Sequence, residues 1–244
     1  MRDSRACLAR LLVLVSLVGA AACGPRDDAR AERPDAAART VSAAPASPVP
    51  APSAGASRPR IVVLGDSLTA GLGLRGDESY PTLLQQDLEQ AGLGYDVINA
   101  GVSGDTSAGG LSRLDWALDG DVRVLVVALG GNDALRGLPP DELKHNLAQI
   151  IERAQARGIT VVLAGMEAPT NYGRDYIVAF HKIYPALARQ YHVAFVPFLL
   201  QGVAGDAWLN QRDGIHPTAQ GARIVAENVW AVLRPIVEGR TPRD

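Results

Sequence analysis

Arg60-Ile61-Val62-Val63-Leu64-Gly65-Asp66-Ser67-Leu68 joins an apolar, β-branched run of strand length to a glycine and a polar turn. Ser67 therefore falls at the carboxyl end of a strand. In open α/β sheets that end carries the ligand crevice, and a turn there can hold a hydroxyl beside the backbone N–H groups of a starting helix. Taken alone, Asp66-Ser67 reads equally as an ordinary turn or N-cap pair.

Outward from this strand the pattern repeats. Apolar runs at 95–100, 122–129, 159–163 and 193–196 alternate with stretches of helical spacing. Leu143, Leu147, Ile150, Ile151 and Ala154 keep that spacing behind Pro139-Pro140, and Gly158 ends the helix before the next strand. Ala222, Val225, Ala226, Val229 and Leu233 do the same further on. Five strands separated by helices predict an α/β protein: a three-layer α/β/α sandwich on a five-stranded parallel sheet, with right-handed crossovers.

Three other blocks carry chemistry. In Asp213-Gly214-Ile215-His216-Pro217 the carboxylate and imidazole are three residues apart and can meet within one turn. Asp213 can then accept the Nδ1–H of His216, leaving Nε2 free to take a proton from Ser67. Pro217 pushes His216 out of the α region, and Thr218 suits the N-cap of the following helix. Gly131-Asn132-Asp133 follows the 122–129 run, so the Asn132 amide can reach the same crevice, although Gly-Gly-Asn-Asp is also a good turn sequence. Gly101-Val102-Ser103-Gly104-Asp105-Thr106 follows the 95–100 run, and Gly104 can offer a backbone N–H. That stretch lacks Gly-Lys-Ser/Thr and the dinucleotide glycine spacing, which argues against phosphate cradling. Asp105 or Thr106 can cap a helix running through Leu111 and Leu114.

These blocks, in order, resemble the four blocks of the SGNH or GDSL hydrolases, over about residues 60 to 236. Within that superfamily the chain is most similar to the bacterial thioesterase, arylesterase and lysophospholipase group, with support from Pro169-Thr170-Asn171-Tyr172-Gly173. The resemblance implies a flavodoxin-like strand order. It also implies Ser67 as nucleophile, His216 as base and Asp213 as its orienter, with an oxyanion hole formed by Ser67, Gly104 and Asn132. No metal or cofactor is required. Substrate is expected against the loops after the third and fourth strands, with Asp66, Leu135, Arg136, Met166 and Tyr172 as binding residues. For Met166 and Tyr172, packing at a loop base is the competing reading. His145, His181 and His192 lack this context and read as surface or packing residues.

The expected activity is a serine esterase acting on small-molecule carboxylic esters and thioesters: aryl esters, short-to-medium acyl chains and lysophospholipids. A carbohydrate acetylesterase of the same superfamily is one alternative, and a non-catalytic envelope protein binding lipid or glycan is another. Against the binder stands the complete acyl-transfer set. Lys and Arg number 24 against 26 Asp and Glu, a net charge of −2, and this lack of basic excess argues against nucleic acid as a partner. A monomer is expected.

The N-terminal stretch reads as an export signal. Arg2, Arg5 and Arg10 precede the apolar run 11–18, which is far short of the roughly 20 residues of a membrane span, and Ala20-Ala21-Ala22-Cys23 follows. Ordinary cleavage and a bacterial lipoprotein box both make Cys23 the first mature residue. Cys7 leaves with the 1–22 signal, so Cys23 has no disulfide partner in an oxidising compartment, which favours its lipidation. Residues 23–59 are rich in Ala, Pro, Ser and Arg and read as a disordered tether. The domain then spans 60–236, with a flexible tail at 237–244. This organisation points to a periplasmic protein held at the bacterial envelope by a membrane tether through lipidated Cys23.

Overall fold

The computed structural model of the protein describes residues 58–240. The expected signal at 1–22, Cys23, the tether as far as residue 57 and the final residues 241–244 lie outside the described residues.

In chain order the elements are β1 (Arg60–Gly65), α1 (Ser67–Ala70), α2 (Tyr80–Gln90), β2 (Asp96–Gly101), α3 (Ser107–Ser112) and α4 (Leu114–Ala117). There follow β3 (Val122–Ala128), α5 (Gly131–Leu135), α6 (Pro140–Ala156), β4 (Thr160–Ala164), α7 (Arg174–Tyr191), β5 (Ala194–Val196) and α8 (Ala219–Val237). The strands form one parallel sheet in the order β2-β1-β3-β4-β5, as the expected α/β/α sandwich requires. Helix α2 packs on α8, and α6 packs on α3 and α7. The side chains of Ile61 to Leu64 and Leu125 to Val127 are fully buried, so β1 and β3 form the axis of the core. Such strands have no polar face because helices cover both sides of the sheet.

Two expectations shift. The helix expected through Leu111 and Leu114 is two short helices, because Arg113 leaves helical dihedrals (φ −106°, ψ 10°) between them. The expected boundary at 236 falls one residue early: Val237 is the last residue of α8 and is buried. Local capping otherwise follows the residue chemistry. The hydroxyls of Thr106 and Thr218 accept from Gly109 N and Gly221 N at the starts of α3 and α8.

Strand register places the loops that matter side by side. Gly65 at the end of β1 is paired with both Gly101 of β2 and Ala128 of β3. The chain leaves β1 for β2 on one side and reaches β3 on the other, so the loops after β1 and β3 part and leave a crevice between them. Two glycines permit the close approaches that frame it. A Cβ on Gly101 would lie 2.3 Å from Ala70 N, so α1 can sit against the end of β2 only with glycine there. A Cβ on Gly165 would lie 2.3 Å from Pro197 O, where the loops after β4 and β5 are joined by Gly165 N to Val196 O (2.8 Å) and Leu199 N to Gly165 O (2.9 Å). Gly165→Ala is therefore expected to cost about 1–3 kcal/mol through overpacking, read as a lower urea midpoint with an unchanged slope.

Candidate active site

The first component is the turn after β1. Asp66 is the N-cap of α1, and its Oδ1 accepts from Leu68 N (3.0 Å), which fixes the turn that presents Ser67. Beneath it, Thr69 Oγ1 and Tyr80 Oη are 2.7 Å apart in the core and tie α1 to α2. Ser67 is left half-buried at the mouth of the crevice.

The second component returns from the far end of the chain. An antiparallel bridge between Asn210 and Pro217 closes the loop that carries His216, and Gln211 N donates to His216 O (2.7 Å). Within it Asp213 Oδ1 accepts from Ile215 N (2.9 Å) and His216 N (3.0 Å), while Oδ2 takes His216 Nδ1 at 2.7 Å. The backbone N–H of His216, then that of Ile215, then the imidazole hold the Asp213 carboxyl down at about 2, so it stays ionised through the physiological range. His216 Nε2 lies 2.8 Å from Ser67 Oγ. With Nδ1–H fixed on the carboxylate, Nε2 is left as the acceptor for the hydroxyl proton. Gln211, which sequence reasoning missed, binds the two halves together, because its Nε2 donates to Leu72 O (2.7 Å) and to Pro217 O (3.0 Å).

The third component is the Asn132 amide at the start of α5. Its Nδ2 donates to Asp105 O (2.9 Å) and, at a longer 3.3 Å, to Asp66 Oδ2. Gly104 precedes that carbonyl with φ +86°, and its own carbonyl is held by Arg136 Nη2 (2.7 Å). Two further groups set this loop in place without any obvious sequence signal. Arg113 donates to Asp105 Oδ2 (2.6 Å) and to Gly65 O (2.9 Å). Buried Asp133 accepts from Ser107 N (2.8 Å) and Ser107 Oγ (2.5 Å), which anchors α3 to α5.

A cleft of about 640 Å³ opens from Ser67, His216 and Asn132 and runs past Leu135, Met166 and Phe198. Leu135 and Met166 thus stand where substrate was expected. Asp66 also borders the cleft, whereas Arg136 and Tyr172 do not. Asp66 is only 2 % exposed, and its carboxylate faces Leu68 N and the Asn132 amide, which places it to support Asn132 at the edge of the cleft. Arg136 is turned to Gly104 O, outside the cleft wall. Tyr172 also lies outside it: its hydroxyl donates to Leu135 O (2.6 Å) and its ring is tilted against that of Tyr176 (centroids 5.2 Å apart), bracing the Leu135 loop. Among the other histidines, His145 lies beside Gln149 and His192 ends α7 in the left-handed region (φ 51°), while His181 pairs with Glu167. Among the described residues no group of three or more His, Cys, Asp or Glu side chains is placed to hold a metal ion.

A hydroxyl, an imidazole and a carboxylate in hydrogen-bonded series at the carboxyl ends of a parallel sheet, beside a side-chain amide, define the serine hydrolases of the SGNH type. The chain belongs to the GDSL-like Lipase/Acylhydrolase family, whose pattern it matches over residues 63–224. It is 47 % identical to a protein of Pseudomonas aeruginosa named Esterase TesA, over 72 % of this chain and 89 % of that one. It is 37 % identical to Thioesterase 1/protease 1/lysophospholipase L1 of Escherichia coli K12, over 72 % of this chain and 84 % of that one. A crystal structure of TesA superposes with a TM-score of 0.70 at 46 % identity, covering 72 % of this chain and 99 % of that one.

Burial pushes the Asp66 carboxyl up to about 6, against smaller opposing effects of the Leu68 N–H and His216. In the unfolded chain this group titrates near the ordinary carboxylate value, so the folded state binds the extra proton in between. The stability that protonation confers is complete below the unfolded value and is lost as pH rises through about 6. Asp66→Asn should remove this dependence. Between about pH 4 and pH 7 the native protein is expected to lose roughly 2 kcal/mol relative to that variant in urea titrations. Parallel pH profiles for the two proteins would contradict it.

Proposed function

We propose that the protein is a serine esterase that hydrolyses carboxylic esters and thioesters through an acyl-enzyme on Ser67. The observation that carries this reading is the unbroken Asp213–His216–Ser67 series at 2.7 and 2.8 Å, opening on the cleft. Ser67 Oγ attacks the acyl carbonyl while its proton passes to His216 Nε2. The imidazolium then returns that proton to the departing alcohol, phenol or thiol as the C–O or C–S bond breaks. A water enters, gives a proton to the same nitrogen and attacks the acyl-enzyme; the imidazolium then passes that proton to Ser67 Oγ as its bond to the acyl carbon breaks, releasing the acid.

The oxyanion is received by Ser67 N–H, Gly104 N–H and Asn132 Nδ2. Both amide hydrogens of Asn132 are engaged at rest, and the 3.3 Å bond to Asp66 is the weaker of the two, so the oxyanion displaces that one. Asp66 therefore acts as a positioning residue for the amide.

Thioesters and lysophospholipids as substrates accord with the name of the Escherichia coli relative, and aryl esters and short-to-medium acyl chains suit the shape of the site. The cleft volume is within the usual range of small-molecule sites, and Leu135, Met166, Phe198 and Leu200 give it apolar walls. An acetyl group, as in the carbohydrate acetylesterase alternative, would leave most of that apolar wall uncovered. Ser67→Ala and His216→Ala are each expected to lower kcat on nitrophenyl esters by several orders of magnitude, whereas Asn132→Ala should cost about 10²–10³. Full turnover by either of the first two variants overturns the mechanism.

The proposal extends to place. Export through residues 1–22 and lipidation of Cys23 rest on the charge and apolar pattern of the leader and on the unpaired thiol. Among the described residues no helix is long and apolar enough to cross a membrane. Cys23→Ser should move the enzyme from the membrane fraction to the soluble fraction with kcat unaltered. A wild-type protein already soluble after export removes the anchor from the reading.

A further inference from the structure

The cleft holds one ionisable side chain that the acyl-transfer machinery does not use. Of the residues lining it, Asp66, Glu167 and His216 carry titratable groups, and the first and last are bound to Asn132 and to the triad. Glu167 is on the loop after β4, between Met166 and Ala168, and its side chain is 37 % exposed. That loop is held against the segment after β5 by the two hydrogen bonds through Gly165, so Glu167 shares its stretch of wall with Phe198 and Leu200.

One carboxylate oxygen is accounted for. Glu167 Oε1 lies 2.7 Å from His181 Nδ1 of α7, while Oε2 accepts no hydrogen bond among the described residues. The pair leaves the second carboxylate oxygen free on a wall that also carries Met166, Ala168, Pro169 and Phe198, with Thr170 and Asn171 further along the loop. A charge bordered by apolar groups is less screened than one in open water, and its field acts on whatever part of the ester lies along that wall.

We propose that Glu167 gives this cleft a charge preference, favouring esters that carry a cationic group such as an ammonium and disfavouring esters that carry a second carboxylate. An ammonium beside Oε2 gains an ion pair and has the Phe198 ring available on the same wall, whereas a carboxylate there meets like charge. Glu167 takes no part in bond making or breaking. It selects substrate through the binding energy available to the part of the molecule away from the reacting carbonyl.

This inference rests on the esterase reading above, and the experiment separates the two. Three nitrophenyl acyl esters of matched length are compared, one neutral, one ending in trimethylammonium and one ending in carboxylate. A choline thioester and a carboxylate-bearing thioester of the same acid place the charge on the leaving side. Assays are run at about pH 8, above the ordinary range of an imidazole. The neutral ester tests the catalytic reading: wild type failing to hydrolyse it, or Ser67→Ala matching wild type, sinks the esterase proposal and this inference with it.

With the neutral ester turned over, the cation-to-anion ratio of kcat/KM in wild type should exceed that of Glu167→Gln by on the order of tenfold on at least one side of the ester. Glu167→Lys should carry the ratio past that of Glu167→Gln toward the anionic ester. Added salt should shrink the wild-type ratio and leave that of Glu167→Gln unmoved. Ratios that agree within about twofold among wild type, Glu167→Gln and Glu167→Lys on both sides of the ester overturn the proposal.

Discussion

Parallel pairing of β1 with β2 on one side and β3 on the other is the constraint from which the site follows. Because Gly65 is in register with Gly101 and with Ala128, the three loops leaving those strands begin side by side. Parallel strands all present the same end to the same side, so groups some thirty and sixty residues apart in the chain meet without any of them moving. Had the pairing slipped by one residue, Gly65 would no longer face Gly101 and Ala128, and the turn carrying Ser67 would be displaced from the loops after β2 and β3. The small contacts at the strand ends keep this arrangement from drifting: Arg113 on Gly65 O and on Asp105, and α1 seated on Gly101.

Three aspartates around this centre show how one side chain serves three purposes through environment. Asp213 is solvated and receives two backbone N–H groups and an imidazole, so it is held ionised and can steady a charged His216. Asp66 is buried, and the loss of water outweighs its single backbone donor and one long amide contact, so its proton is held far longer. Asp133 is buried too, yet its oxygens are taken by the N–H and hydroxyl of Ser107, and it acts as a strut between helices. Proximity to the hydroxyl alone would not have separated Asp213 from Asp66, whereas counting donors against burial does.

The loops beyond the strand ends divide labour in the same way. Leu135 and Met166 face the cleft, while Tyr172 and Arg136, whose residue types suggest contact with substrate, face the protein and hold Leu135 O and Gly104 O. The wall is therefore set by residues one layer behind it. Gln211 does the equivalent for the triad, linking the segment after Ser67 to the loop that carries His216.

Much of this was legible in the chain because it is local. Apolar runs bounded by glycine and proline marked five strands to within about a residue at most ends, Thr106 and Thr218 announced their helices, and the three-residue spacing of Asp213 and His216 contained their contact. The break at Arg113 and the support offered by Gln211, Asp133 and Asp66 were not legible, since each depends on a partner brought near only when the sheet closes. Even the pairing of Ser67 with His216, inferred from residue type and resemblance, spans 149 positions and acquires its 2.8 Å distance from folding alone. What the residues by themselves determined was which groups exist and which short-range geometry each prefers, because backbone propensity acts within a turn. Which of those groups touch substrate and which only hold others in place was decided by tertiary structure, because burial and hydrogen-bond partnership are properties of neighbours in space.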